Sequence, residues 1–216
     1  MSNTIYMAPM EGLTDFTYRN AYEKTFGKGR ITKYFTPFIP AAKKMSKKIK
    51  RDLAAENNEQ IRLVPQLIGN RADEFLMMIR QLEDLGFTSV NLNFGCPSGT
   101  VVSKRKGAGF LEEPEELEML LEEVLENSPL AVSVKTRVGI KDPDEWEALC
   151  GVYAKFPLEE LIIHPRLQID YYSGTPRMET FARALEQIHV PLCYNGDICS
   201  VEDYLSLIHI SEPTRH

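Results

Sequence analysis

A thiol on a tight turn is the sharpest chemical feature of this 216-residue sequence. The run Asn93-Phe94-Gly95-Cys96-Pro97 leaves an apolar stretch that reads as a strand. Glycine and proline on either side of Cys96 force a turn there, which brings the thiol to the strand's end. A thiol held against a forming carbanion can donate a proton as a general acid. Other apolar stretches close on polar groups as well: APMEG (8–12), YFTPF (34–38), PQLIG (65–69), VKTRVG (134–139), IIHPR (162–166) and YNGDI (194–198). Strands buried on both faces ordinarily read as continuous apolar sequence. Polar groups at one end of each have no structural need, because buried polar groups must find partners.

Lys135 sits in a strand marked as core by Ala131, Val132, Val134 and Val138. Arg137 is expected to share its cavity only if the strand has ended by then. His164 closes a sixth apolar stretch. Gln66 and the Asn195-Gly196-Asp197 turn offer amide and backbone groups suited to the polar edge of a planar ring and to a phosphate. Gly196 would let the backbone approach an anion closely.

The elements that position these residues alternate. Strands are expected at 5–8, 31–36, 63–68, 89–93, 131–136, 160–164 and 191–195, and helices at 72–85, 114–126, 144–155 and 177–187. Pro114 suits a first helical position, and Gly86 a helix stop. Such alternation indicates a parallel sheet with crossover helices. The first strand-helix turn carries no GxGxxG, which argues against a dinucleotide-binding sheet. The expected fold class is α/β, an incomplete (β/α)8 TIM barrel with seven strands present, since a barrel of this kind closes with eight. Residues 205–216, LSLIHISEPTRH, resemble the translation of a sequencing adapter. The expected organisation is therefore a barrel domain at 1–204 and a non-native tail at 205–216.

The bulk composition sets bounds. Hydrophobic residues make up 43% and charged residues 26%, ordinary for a globular protein. No apolar run approaches the roughly 20 residues of a membrane span, and the N-terminus does not read as a secretory signal. The four cysteines form no CxxC pair, which argues against a zinc site or a disulfide framework and favours the cytoplasm. The net charge of −6 is uneven: acid gathers at 112–126, base at Lys43, Lys44, Lys47, Lys48, Lys50 and Arg51 and again at Lys104, Arg105 and Lys106.

APMEGLTD at 8–15, QLIG at 66–69, NLNFGCPS at 91–98, VKTR at 134–137, HPR at 164–166 and NGDI at 195–198 together resemble the tRNA-dihydrouridine synthase family. The resemblance implies FMN as cofactor, NADPH or NADH as reductant, tRNA as partner, no metal, no membrane and a monomer at full length. It implies that Pro9, Met10 and Glu11 line the flavin, that Gln66 meets its pyrimidine edge, and that Lys135 and His164 flank the ring. Asn195, Gly196 and Asp197 would lie toward the ribityl phosphate. Cys96 would protonate uracil C5 after hydride reaches C6, with Asn93, Arg137 and Arg166 at the substrate. Basic loops near the barrel mouth would hold RNA phosphates. Leu167 stands where the family more often has threonine. The family's Gly-Arg-Gly loop and helical C-terminal domain are absent from this sequence, so weak or no FMN retention is expected, and both losses bear on the activity of this fragment by itself. Two alternatives remain: a dihydroorotate-dehydrogenase-like reductase of a free pyrimidine, and a non-catalytic RNA-binding barrel.

Overall fold

The computed structural model describes residues 4–211. The chain divides into two compact units, Met1–Asn93 with Leu120–Ser133 and Phe94–Met119 with Val134–His216.

The first unit carries β1 (Ile5–Met7), β2 (Ile31–Phe35), β3 (Ile39–Pro40), β4 (Leu63–Val64), β5 (Gln66–Ile68) and most of β6 (Ser89–Phe94). β2 lies between β1 and β4, and β5 lies between β3 and β6, all parallel. The third expected strand, 63–68, is thus broken at Pro65, and β3 is a short strand beyond the expected second one. Pro65 causes the break, because it has no N–H to give the ladder. Opposite it, the Thr36 hydroxyl accepts from the Gln66 N–H at 2.9 Å, where a strand carbonyl would otherwise serve.

Helix α1 (Phe16–Tyr22) is capped by Asp15, whose carboxylate accepts from the Tyr18 N–H. Helix α2 (Lys47–Leu53) is capped in the same way by Ser46 and Ile49. Neither helix was expected, and α2 corrects the placing of residues 47–51 on a loop. Its sequence, KKIKRDL, has almost no apolar stripe. What anchors α2 is Asp52, which accepts from the Phe16 N–H and pairs with Arg19, itself fully buried. Helix α3 (Ala72–Asp84) is the ordinary case: Phe75, Met78, Ile79 and Leu82 recur at helical spacing and are all fully buried. It ends as expected at Gly86, which takes φ +87° while Phe87 N–H reaches back to the Leu82 carbonyl.

The second unit contains α4 (Gly99–Val102), the first turns of α5 (Pro114–Asn127), most of β7 (Ala131–Arg137), α6 (Glu145–Tyr153), β8 (Leu161–His164), α7 (Met178–Gln187), β9 (Leu192–Tyr194) and α8 (Val201–Ser211). The order β7-β8-β9 is parallel, with Arg137 in register with His164 and Ile163 with Tyr194. Trp146 and Tyr153, both fully buried on α6, tie the layers together. The Trp146 indole donates to the Thr180 carbonyl on α7, and the Tyr153 hydroxyl donates to Thr136 on β7. Helix α8 continues through residue 205, while residues 212–216 of the expected tail lie outside the described residues.

Candidate active site

In the second unit the Cys96 turn is held from three sides. Its three consecutive carbonyls each accept a hydrogen bond: Gly95 from Arg137 Nε at 2.9 Å, Cys96 from the Ala108 N–H at 3.0 Å, and Pro97 from Gln168 Nε2 at 3.2 Å. Gly107, at φ +55°, lets the following segment close over the turn, since a Cβ there would lie 2.7 Å from the Cys96 carbonyl oxygen. The backbone of the turn is therefore fixed while the thiol remains half-buried. The four cysteines are thiols, none in a disulfide.

Lys135 lies on β7 two residues before Arg137, and residues two apart share a face of a strand. The expectation that the strand must end first is corrected: β7 runs through Arg137, and both side chains serve the Cys96 side. The Lys135 ammonium is half-buried and, among the described residues, forms no ion pair and no hydrogen bond. Burial, with Arg137 nearby, lowers its pKa to about 8, while the Cys193 and Cys96 thiols oppose that shift. A cation so placed has acceptance of an anionic partner left open to it. Arg137 differs. It is almost fully buried, donates to the Gly95, Leu167 and Tyr171 carbonyls, and lies 5.5 Å from the centre of the Tyr172 ring.

β8 ends in His164, buried and flanked by Asn195 and Arg166. Burial, then the charges of Lys135 and Arg137, press its pKa down to about 3, so the ring is neutral near pH 7. Arg166 forms a two-pronged pair with Asp197, which raises the arginine's pKa and lowers the carboxylate's. Gly196, between Asn195 and Asp197, has a reason of its own to be glycine: a Cβ would fall 2.7 Å from Tyr194 Cζ.

In the first unit, β1 leads into Pro9, Met10 and Glu11. The turn is braced by Thr14, whose hydroxyl accepts from the Met10 N–H and donates to the Met10 carbonyl. Met10 and Glu11 are exposed, and Gly12 turns the chain at φ +76°. Glu11, Phe16, Phe38, Lys48 and Arg51 are among the residues around a cleft of 490 Å³. Gln66, fully buried, belongs to a string of side chains running one way: Asn93 donates to Gln66, Gln66 to Asn91, Asn91 to Ser133, and Ser133 to the Val90 carbonyl.

Sequence reasoning named Gln66 and Asn93 but missed Asn91 and Ser133, and it missed Gly107 and Gln168 beside Cys96. The second asparagine of N-L-N, in phase with the first on the same strand face, was the available signal for Asn91. Gln168 and Gly107 touch the turn only through tertiary packing and leave no local mark.

The strand order and the alternating helices define a parallel α/β chain of the (β/α)8-barrel class, incomplete in that seven strand positions are filled among the described residues. A solved structure described as a variant of NCR from Zymomonas mobilis shares this fold: TM-score 0.61 at 11% identity, covering 96% of this chain and 78% of the other. A family model described as dihydrouridine synthase (Dus) matches residues 6–211, and the chain belongs to that family. A tRNA-dihydrouridine(16) synthase of Pseudomonas syringae is 30% identical, over 93% of this chain and 65% of the relative. Its namesake in Pseudomonas putida is 32% identical, over 93% and 64%, and that of Neisseria meningitidis serogroup A 27%, over 96% and 64%. The chain thus spans a little under two thirds of the length of these curated relatives.

The family implies a flavin, and the donor set suits one. Lys135 offers an unpaired cation to an anionic ring, and the Asn195-Gly196 turn offers amide donors beside a carboxylate already neutralised by Arg166. Among the described residues no group of three or more His, Cys, Asp or Glu could hold a metal ion, and no helix is long and apolar enough to cross a membrane.

Proposed function

We propose that this chain is the catalytic barrel of a tRNA-dihydrouridine synthase, reducing the C5–C6 double bond of a uridine in cytoplasmic tRNA. The observation that carries the reading is Lys135: a half-buried ammonium without a carboxylate partner, within electrostatic reach of the Cys96 thiol. FMN, when bound and reduced by NADPH or NADH, would supply hydride to uracil C6.

The chain's own residues do the rest. Lys135 holds negative charge on the flavin ring and favours the thiolate left when Cys96 gives its proton to uracil C5. The clamped carbonyls of residues 95–97 keep that thiol at one distance from its target. His164, neutral and tethered at both nitrogens, serves as a fixed wall rather than as an acid. Asn195 and Gly196 face the flavin phosphate. Arg137 and Arg166, expected at the substrate, are assigned instead to holding the Cys96 turn and the His164 ring.

The uridine must leave its stack to be reduced. Lys47, Lys48 and Lys50 of α2 carry no ion pair among the described residues and can hold RNA phosphates. The names of the Pseudomonas and Neisseria relatives make uridine 16 the first position to examine. The test is nucleoside mass spectrometry after incubating the chain with unmodified tRNA, saturating FMN and NADPH, with orotate and uracil in parallel. Dihydrouridine in tRNA, abolished by Cys96→Ala, is expected. Turnover of free orotate or uracil with none in tRNA would replace this reading with that of a free-pyrimidine reductase.

A further inference from the structure

We propose that Asp197 is a positioning residue: its carboxylate, acting through Arg166 and then His164, sets which way the Asn195 amide faces. All five N–H donors of Arg166 are engaged. Nε donates to the Ser173 carbonyl at 3.1 Å, and Nη2 donates to the Gly174 carbonyl and to Asp197 Oδ2, both at 2.5 Å. Nη1 donates to Asp197 Oδ1 at 2.9 Å and lies 3.2 Å from His164 Nε2.

That last contact decides the rest. A guanidinium has donors only, so His164 Nε2 must be the acceptor. The proton of the neutral ring then sits on Nδ1. Nδ1 lies 3.3 Å from Asn195 Oδ1, which must accept in turn. The amide oxygen is thereby held inward, and the two Nδ2 hydrogens are left to point away from the ring.

The groups around His164 support the assignment. Lys135 and Arg137 from β7 and Arg166 from beyond β8 surround the ring with positive charge, against the single carboxylate of Asp197. Protonation of the ring would add a fourth cation and break the contact with Arg166. The arrangement also accounts for an acid in a turn that reads as an anion site. A bare carboxylate there would repel a phosphate, whereas one paired two-pronged with a buried arginine is neutralised. Asn195 and Gly196 can then present donors. The bearing on flavin rests on the proposed function, but the orientation of the amide does not.

The experiment is a two-bond proton–nitrogen correlation spectrum of the chain labelled with 15N-histidine, His164 being assigned by the signal lost in His164→Gln. The expected wild-type spectrum shows the Nδ1–H tautomer. Arg166→Met, which removes the donor, is expected to invert it to the Nε2–H form that free imidazoles favour. Asp197→Asn is the milder variant, because that side chain is 54% exposed, and should give a mixture of the two tautomers. An Nε2–H tautomer in the wild-type chain, or an Nδ1–H form unchanged in Asp197→Asn, would overturn the proposal whatever the chain does with flavin. An FMN titration separates the two readings: a wild-type Nδ1–H tautomer that inverts in Arg166→Met and becomes mixed in Asp197→Asn supports the relay even in a chain that takes up no FMN, and only the cofactor reading would then fall.

Discussion

Arg137 Nε donates to the carbonyl of Gly95, the residue before Cys96, at 2.9 Å. The same guanidinium reaches the Leu167 and Tyr171 carbonyls. One buried side chain on β7 therefore sets the geometry of the thiol's turn and of the loop after β8. Arg137→Met leaves three carbonyls without their donor and is expected to cost on the order of 3 kcal/mol of stability. Arg137→Lys restores charge but not the fork. Thermal melts and the rate of Cys96 alkylation check both, and an unchanged alkylation rate in the two variants would count against the clamp.

Gly107→Ala tests the same turn from the other side. The added methyl meets the Cys96 carbonyl at 2.7 Å and must adopt φ +55°, so a loss of about 2 kcal/mol is expected. Gly151→Ala is the control, with nothing within 4 Å of the new methyl in the middle of a helix, and should be neutral or slightly stabilising.

Lys135 predicts a pH dependence with a definite sign. Its pKa falls from 10.5 to about 8 on folding, so the unfolded chain holds the extra proton between those values and stability rises with pH across that window. Lys135→Met is expected to be more stable than wild type at pH 7 by about 2 kcal/mol, the advantage fading from pH 8 toward 10.5. The same variant should bind FMN at least tenfold more weakly. Denaturant melts at several pH values, with flavin titrations at one, measure both.

His164 gives the acid-side counterpart. Held neutral down to about pH 3 in the folded chain against 6.5 when unfolded, it should withdraw stability as pH falls through that range. A His164→Gln chain is expected to lose less stability between pH 6.5 and pH 4 than wild type does. Equal slopes would mean that the imidazole is solvated.

For RNA, replacing Lys47, Lys48 and Lys50 together by glutamate should leave the melting temperature nearly unchanged. It should also lower the salt dependence of tRNA binding, by roughly 0.7–0.9 in logarithmic slope for each phosphate no longer neutralised. An unaltered slope in filter binding would remove α2 from the RNA surface.

What the sequence revealed followed from periodicity and local turn chemistry. Phe75, Met78, Ile79 and Leu82 announce α3 because burial on one face repeats every 3.6 residues, and Gly86 announces its end. The strand positions are legible from their β-branched runs, and the interruption at Pro65 has its own signal, a proline within a strand. Helix α2 was missed because its stability comes from a distant partner, Asp52 with Phe16 and Arg19, rather than from its own apolar stripe. At the candidate site, residue types were visible where chemistry demanded them, as at Cys96, Lys135 and His164. Their supporting partners were not, since Gln168 meets Pro97 across 71 residues of chain. Arg137 and Arg166 mark the limit: charge can be read from a sequence, but whether its donors are already engaged by carbonyls and carboxylates cannot.

The string from Asn93 through Gln66 and Asn91 to Ser133 has a direction, fixed at its far end by a backbone carbonyl that can only accept. No member can reverse alone, so rotation of one amide by half a turn sets two oxygens or two NH2 groups face to face. A single replacement such as Asn91→Asp sets an acceptor against Ser133, whose hydroxyl must then abandon the Val90 carbonyl to donate to it. Drift at these positions is therefore expected to be concerted, with lineages exchanging the set together or keeping it whole.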